Sequence, residues 1–397
     1  MRRFLGATSK PVGTILLAGI PATFAAYFLL RALLALGTRP EHASLLVFGY
    51  ALGTLSFPYA TLLYGHALAA ALVGYVYLRV VEHEAGALKW SRRDLSLAGL
   101  ASGLGFIVEY PTAIMLAPLL LFACSRAKRS ATPARSPSWF IRAGLVVTAG
   151  ALPWIALHAL YTTWAFGSPF TLPYKYVNQP IFSSHMTGGV FGIGLPSWKA
   201  TYGALLSPYR GLFFFSPLCA FVFAGMASWF TARRLPALAR LTAVVLFVEL
   251  WFATSYYAWD GGGAVGPRHI VPALALFIVP IGFFLPGARW RHAAFALATA
   301  ASVVFVGMAV AVYIQTPIGD VFRSDPLYAI IVPALARGEI GLNWLDLRGV
   351  IPLRDATYNL GTLAGLGVTA SLAVPILAWT ALAIGGAVSW PGNRATS

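Results

Sequence analysis

Charge is scarce in this sequence, and acid above all: Asp, Glu, Lys and Arg together make up 10% of 397 residues, and only 12 residues are acidic. So few polar side chains cannot cover one soluble core of that length. With 58% hydrophobic residues and a mean hydropathy of +0.74, the chain is expected to be an all-α polytopic membrane protein. Cysteine is scarcer still. Cys124 and Cys219 each sit inside an apolar run, at different expected depths, so no disulfide is expected between them. The spacing of His, Cys, Asp and Glu matches no metal-ligand set. No internal repeat appears, and the chain reads as a single domain over 1–397.

The chain is rich in aromatic residues, with 12 Trp, 17 Tyr and 26 Phe, which suit the interfacial belts of a membrane protein. Its 26 Pro and 39 Gly point to interrupted spans. Apolar runs lie at 11–36, 43–62, 64–81, 97–109, 111–124, 143–165, 211–232, 239–258, 269–286, 293–314 and 358–388, which predicts about eleven crossings at about 20 residues each. Phe57-Pro58 and Tyr110-Pro111 place a break inside each of the stretches 43–81 and 97–124, both on the same side. Two longer loops, 166–210 and 315–357, are expected outside. The second predicts a short amphipathic helix from Pro326 to Arg337, with Leu327, Ile330, Ile331, Ala334 and Leu335 on one side, lying along the membrane surface.

A net charge of +16 would point to nucleic acid in a soluble domain, but here the basic residues cluster in short connections, where they report topology. Connections 37–42, 82–96, 125–142, 233–240, 287–292 and the C-terminus hold 15 Lys and Arg, against 11 spread over the far longer segments 1–10, 166–210, 259–268 and 315–357. The first set is therefore expected in the cytoplasm. This leaves the N-terminus outside despite Arg2, Arg3 and Lys10, unless a span precedes this chain or residues 11–36 do not cross.

Chemistry is expected at Tyr256 to Pro272, a polar, glycine-rich strip between two apolar runs that gathers Asp260, Arg268 and His269. Gly261-x-Gly263-x-x-Gly266 has the form of a dinucleotide fingerprint, but that motif needs a strand before it and a helix after it, and both neighbours here are spans. Gly262 and Gly263 more naturally let the loop reverse and bring backbone N–H groups to a ligand. Arg268 and Arg210, the latter beside Tyr209, stand at the starts of apolar runs, where a guanidinium can grip a phosphate or simply reach the interface. His66, with Tyr59 in the same polar stretch, can polarise a ligand or rest as an interfacial histidine. Glu109 ends a short apolar run, where a carboxylate needs a partner or a cavity. Glu249 lies deeper and is expected to make an interhelical hydrogen bond. Asp320 and Asp325, near Arg323, read as solvated loop charges.

In order along the chain, Gly53-Thr54-Leu55-Ser56-Phe57-Pro58-Tyr59 with Tyr64-Gly65-His66, Glu109-Tyr110-Pro111, Ala165-Phe166-Gly167-Ser168-Pro169, Leu206 to Phe213 with Phe215-Ser216-Pro217, and Trp259 to Pro272 together resemble the GT-C superfamily of polyprenyl-phosphate-dependent membrane glycosyltransferases. The likeness is to bacterial members related to protein mannosyltransferases, and it runs from about Ser9 to Leu347. It implies an enzyme of the bacterial inner membrane that moves a sugar from a polyprenyl-phosphate donor to an acceptor hydroxyl of a glycan, lipid or protein on the outer face. Membrane lipids are its surroundings, nucleic acid is no partner, and no cofactor is required, with a divalent cation left open. Substrate binding is expected at Arg268, His269, Arg210, Tyr209, His66, Tyr59, Gly262 and Gly263.

One departure stands out. Members of the superfamily usually carry their catalytic acid on a first outer loop after an N-terminal span, and Ser9 to Thr14 resembles the sequence just beyond that loop. The first acid here is Glu41, on the expected cytoplasmic side. Either the usual span and base lie outside this chain, or Glu109 or Asp260 has taken the catalytic role. A chain without its base would be a non-catalytic scaffold, or a carrier or flippase of lipid-linked sugars.

Overall fold

The structure, a computed structural model, describes residues 12–127, 138–171, 192–314 and 325–341, together with 176, 365–367 and 370. Among these residues it is helical throughout, apart from an isolated antiparallel bridge between Ile193 and Tyr256. In chain order the helices are α1 (Val12–Ala35), α2 (Pro40–Gly53), α3 (Ser56–Ala60), α4 (His66–Glu84), α5 (Arg92–Val108), α6 (Thr112–Ala127) and α7 (Ser138–Phe166). They continue as α8 (Trp198–Leu205), α9 (Leu212–Phe215), α10 (Pro217–Ala232), α11 (Pro236–Ser255), α12 (Arg268–Phe284), α13 (Arg289–Val312) and α14 (Leu327–Ala336).

Each apolar run between 11 and 314 coincides with a helix or a broken helix, but only four, α1, α7, α11 and α13, are long and apolar enough to cross a membrane unaided. Of the rest, α4 has 19 residues but carries Arg79, Glu82 and Glu84, and the others are shorter. At 16 residues, α6 is about 24 Å long, less than the hydrocarbon thickness of about 30 Å. The break at Tyr110-Pro111 falls where expected, between α5 and α6. In 43–81 the chain breaks over 61–65, near the expected midpoint, and again at Thr54, which is extended, while Pro58 itself lies inside α3. Asp320, Arg323, residues 172–175 and 177–191 of the first longer loop, 315–324 and 342–357 of the second, and the run 358–388 apart from 365–367 and 370 lie outside the described residues.

The central element is α12. From Ile270 to Val279 every side chain is buried, the signature of a helix enclosed on all sides, and it packs against α1, α2, α4, α10 and α11. Trp229 of α10 stacks on Phe283 at 4.4 Å between ring centroids. The segment Leu327–Ala336 corrects its sequence reading. Leu327, Ile331 and Ala334 are fully buried and the segment packs on α13, while Leu335 faces outward at 40% exposure. Its apolar side is spent on protein packing, not on a lipid surface.

Connections gather at two ends. At one, Gly37 lies against the Arg234 guanidinium, His42 meets His292 with Nε2 atoms 2.9 Å apart, and Arg126 pairs with Glu84 at 2.9 Å. Here Glu82 takes Arg31 at 3.0 Å and Arg79 at 2.7 Å, while Arg79 also pairs with Asp94, so one ion network ties α1, α4 and α5. At the other end stand Tyr59, His66, Glu109, Arg210 and the strip 256–268. The connections that the charge pattern groups together are thus together in space.

The closest helix contact, α5 on α7, depends on glycine. A Cβ on Gly99 would lie 2.0 Å from the Val147 carbonyl oxygen, and one on Gly150 2.0 Å from that of Ser96, so the two backbones touch as in small-residue crossings of membrane helices. Gly99→Leu is expected to cost about 1–3 kcal/mol and to lower the thermal unfolding midpoint in detergent. Gly144→Ala, with nothing within 4 Å of the new methyl and inside a helix where alanine is favoured over glycine, is expected not to lower it.

Asp94 offers a pH test at the basic end. Burial works against its carboxylate, but hydrogen bonds from Ser91 and Arg79 outweigh it and hold the group below the ordinary aspartate value. A lowered folded value stabilises the fold where the carboxylate is charged. The stability advantage of the wild type over Asp94→Asn should therefore be full at neutral pH, and should fade as the pH falls from about 4 through the lower folded value; unfolding curves across that range measure it.

Candidate functional site

The strip from Tyr256 to Pro267 closes one end of the buried helix α12. Its course is fixed by backbone pairing to the segment before α8: Tyr257 N–H donates to Gly192 at 3.0 Å, Gly194 N–H to Ser255 at 3.0 Å and Ser197 N–H to Thr254 at 3.3 Å. Gly261, Gly262 and Gly266 have φ of 68°, 73° and 68°, backbone that side chains rarely adopt. Space demands glycine as well, since a Cβ on Gly266 would lie 2.5 Å from Leu55 Cδ1 and one on Gly261 2.8 Å from Arg268 Cγ. These glycines make a tight reversal, as the rejection of a dinucleotide motif requires.

Arg210 is fully buried and pins this turn. Its Nη2 donates to the Gly262 carbonyl at 2.7 Å, and its guanidinium lies 4.4 Å from the Tyr209 ring centre. Burial lowers its hold on its proton, opposed by Tyr209, Tyr59 and Asp260. Asp260 Oδ1 accepts from the Gly262 N–H at 3.2 Å, so the acid and Arg210 grip the same residue from two sides. The Tyr59 hydroxyl, also fully buried, donates to the Val265 carbonyl at 3.2 Å. Trp259 fills the space beside Gly203, where a Cβ would meet its ring at 2.1 Å, and stands edge-on to Tyr209. Gly263, half-buried, lies in the same turn.

Beside the strip is a paired acid and imidazole. Pro111 ends α5 early and leaves Glu109 in an extended conformation, φ −149° and ψ 107°. Its Oε1 reaches to 2.5 Å from Nδ1 of His66, the first residue of α4, with the two side chains 15% and 6% exposed. Gly65 leaves the room for this approach: a Cβ there would be 3.2 Å from the same oxygen. The His66 ring stands edge-on to Tyr59 at 5.1 Å and to His269 at 6.4 Å. His269 stands edge-on to Phe252 and Tyr256, which stack on each other, and its Nε2 lies 3.3 Å from the Ala258 carbonyl. A neutral His269 that donates there keeps Nδ1 as acceptor.

Arg268 differs from Arg210. It is half-buried, its guanidinium lies 5.7 Å from the Tyr64 ring centre, and among the described residues it has no ion pair. Asp260 of the same strip makes no ion pair with it; Asp260 serves the turn instead. The other expected site residues do converge at this end, with Arg268 as the cation best placed to receive an anion. No group of three or more His, Cys, Asp or Glu able to hold a metal ion occurs among the described residues.

Sequence reasoning passed over Phe252 and Tyr256, which hold His269; their i, i+4 spacing at the end of an apolar run was the available signal. It also misjudged Glu249. This side chain is 1% exposed and, among the described residues, neither carboxyl oxygen has a hydrogen-bond partner, so the expected interhelical bond is absent.

Compared with known proteins, the chain matches no family, and no curated protein or solved structure is significantly similar to it. Its function must be argued from this site. The two arginines should separate by measurement. Arg210→Ala leaves the buried Gly262 carbonyl without its donor and opens a cavity, a loss of about 2–4 kcal/mol. Arg268→Ala should change the unfolding midpoint little in the same detergent.

Proposed function

We propose that the protein is a membrane glycosyltransferase that takes a sugar from a polyprenyl-phosphate donor and passes it to an acceptor hydroxyl. The observation that carries this reading is the meeting, at one end of an apolar helical body, of a carboxylate–imidazole pair with an arginine that has no anionic partner among the described residues. The proposed transfer needs both. Positive charge at Arg268 stabilises the leaving prenyl phosphate, and Glu109 paired with His66 takes the proton from the attacking hydroxyl. Arg210, Tyr209, Asp260 and the glycine turn keep the donor-facing backbone in place, and apolar helix faces suit the prenyl chain.

In this reading the chain lies in a bacterial inner membrane with about eleven crossings, the strip end on the extracytoplasmic face and the basic end in the cytoplasm, as the Lys and Arg distribution favours. The catalytic acid is Glu109, since Asp260 is engaged by the turn. The purified protein should transfer or hydrolyse sugar from radiolabelled polyprenyl-phosphate sugars. Glu109→Gln should lower that rate by about 100-fold or more, and Arg268→Ala should lose donor binding while remaining folded. Absence of both transfer and hydrolysis by the wild type, over a panel of hexosyl and pentosyl donors, would sink the proposal.

A further inference from the structure

Two imidazoles meet at the basic end, far from the strip. His42 stands in the first turn of α2 and His292 near the start of α13, with their Nε2 atoms 2.9 Å apart. They are 250 residues apart in the chain, so no sequence motif announces them. The seam between the two helices explains the meeting. A Cβ on Gly49 would lie 3.5 Å from Thr299 Cγ2, and one on Gly53 3.1 Å from Ser302 Cβ. The layers His42–His292, Gly49–Thr299 and Gly53–Ser302 advance together, so α2 and α13 run parallel, and from the first layer to the second is two turns on both. Small residues bring the two backbones close, and the imidazoles one layer below are held face to face by rigid elements.

The ring geometry suits a shared ion. The ring centroids are 4.8 Å apart with the planes at 42°, closer than two imidazoles joined by a straight N–H···N bond of 2.9 Å would stand, so the ring axes converge to one side. Two ligand nitrogens about 2.0–2.1 Å from one ion and at right angles to each other are about 2.9 Å apart. His42 Nδ1 is buried without a hydrogen-bond partner among the described residues, and this holds whether Nε2 meets a proton or an ion, so it does not favour the hydrogen bond.

We propose that His42 and His292 chelate a divalent copper, nickel or zinc ion, with water in the remaining positions, and that the ion clamps the start of α2 to the start of α13. Imidazole suits these ions, and nitrogen ligands at right angles with water suit Cu2+ best. The inference is independent of the transfer chemistry at the strip. Nearby charge acts in both directions. Glu41 favours a cation beside His42 and Arg39 opposes it, while the Arg291 guanidinium is turned to the carbonyls of Phe284 and Pro286. The two helix N-termini lower the affinity for a cation by about two- to fivefold each, which weakens the site without closing it.

The test is metal uptake, which needs neither donor nor turnover. Untagged full-length protein in detergent, first stripped of metal, should bind one Cu2+ per chain, and the electron paramagnetic resonance spectrum of the bound ion should show coupling to two imidazole nitrogens. The unfolding midpoint should rise with the concentration of Cu2+, Ni2+ or Zn2+. His42→Gln and His292→Gln should each weaken Cu2+ binding by more than about tenfold, since even the outer partners of a metal ligand are worth about 10–100-fold. Binding unchanged in both variants, or a wild-type spectrum with one imidazole nitrogen or none, would overturn the inference and leave the two rings a hydrogen-bonded pair. If neither variant folds, a two-imidazole spectrum that persists in His66→Gln supports the pair, and one that is lost there overturns it.

Discussion

Because Arg210 is buried completely and has to place its donors somewhere, its bond to the Gly262 carbonyl does more than fasten a loop. It decides where the strip reverses, and that reversal decides where Asp260, Arg268 and His269 stand. A carbonyl turned toward a buried guanidinium requires the backbone to pass through positive φ on both sides of Asp260's contact, which Gly261 and Gly262 supply. Once the turn is set, Arg268 emerges at the start of α12 against Tyr64, and His269 stands edge-on to the stacked rings of Phe252 and Tyr256. The polar end is thus built outward from one buried cation.

What makes such a construction stable is the helix beneath it. Every side chain of α12 from Ile270 to Val279 is enclosed by protein, so the strip is attached to the most confined element of the body. Helices around it are short where they approach the site. α5 stops at Val108 and α3 is a single turn and a half, so Glu109, Tyr59 and His66 project from ends, where backbone is free of helical geometry, and can converge on the strip. Proline shortens these helices and glycine permits the contacts, as at Gly65 beside Glu109.

Much of this was legible in the sequence, and the reasons for success and failure are physical. Polar residues in an apolar chain are conspicuous, so Glu109, His66, Arg210 and the Asp260 to His269 strip could be picked out, and Lys and Arg counts sorted the connections into the two groups that the structure brings together. Pairing was not legible. Nothing in the spacing of 66 and 109 says that Pro111 will leave Glu109 extended toward His66, or that Asp260 will serve Gly262 and not Arg268. Interruption was not legible for a related reason: hydropathy registers an apolar run such as 269–286 or 43–62 without showing where its helix breaks, and four helices among the described residues are long and apolar enough to cross unaided. The buried side of Leu327–Ala336 failed because amphipathicity identifies a face but not what covers it.

The two ends use charge in opposite ways. At the basic end Glu82, Glu84 and Asp94 are each matched by arginine, in pairs that join four helices, α1, α4, α5 and α6. There the charges answer one another, which is what a supporting structure needs. At the strip end Glu109 is matched by an imidazole whose charge depends on a proton, Arg268 rests on an aromatic ring, and Glu249 has no hydrogen-bond partner among the described residues. An aromatic face steadies a cation without neutralising it, and a histidine can give its proton away. Charges left incompletely answered in an apolar body cost stability. Their concentration at one end, on elements held by Arg210 and α12, is the arrangement expected where the missing partners arrive with a substrate.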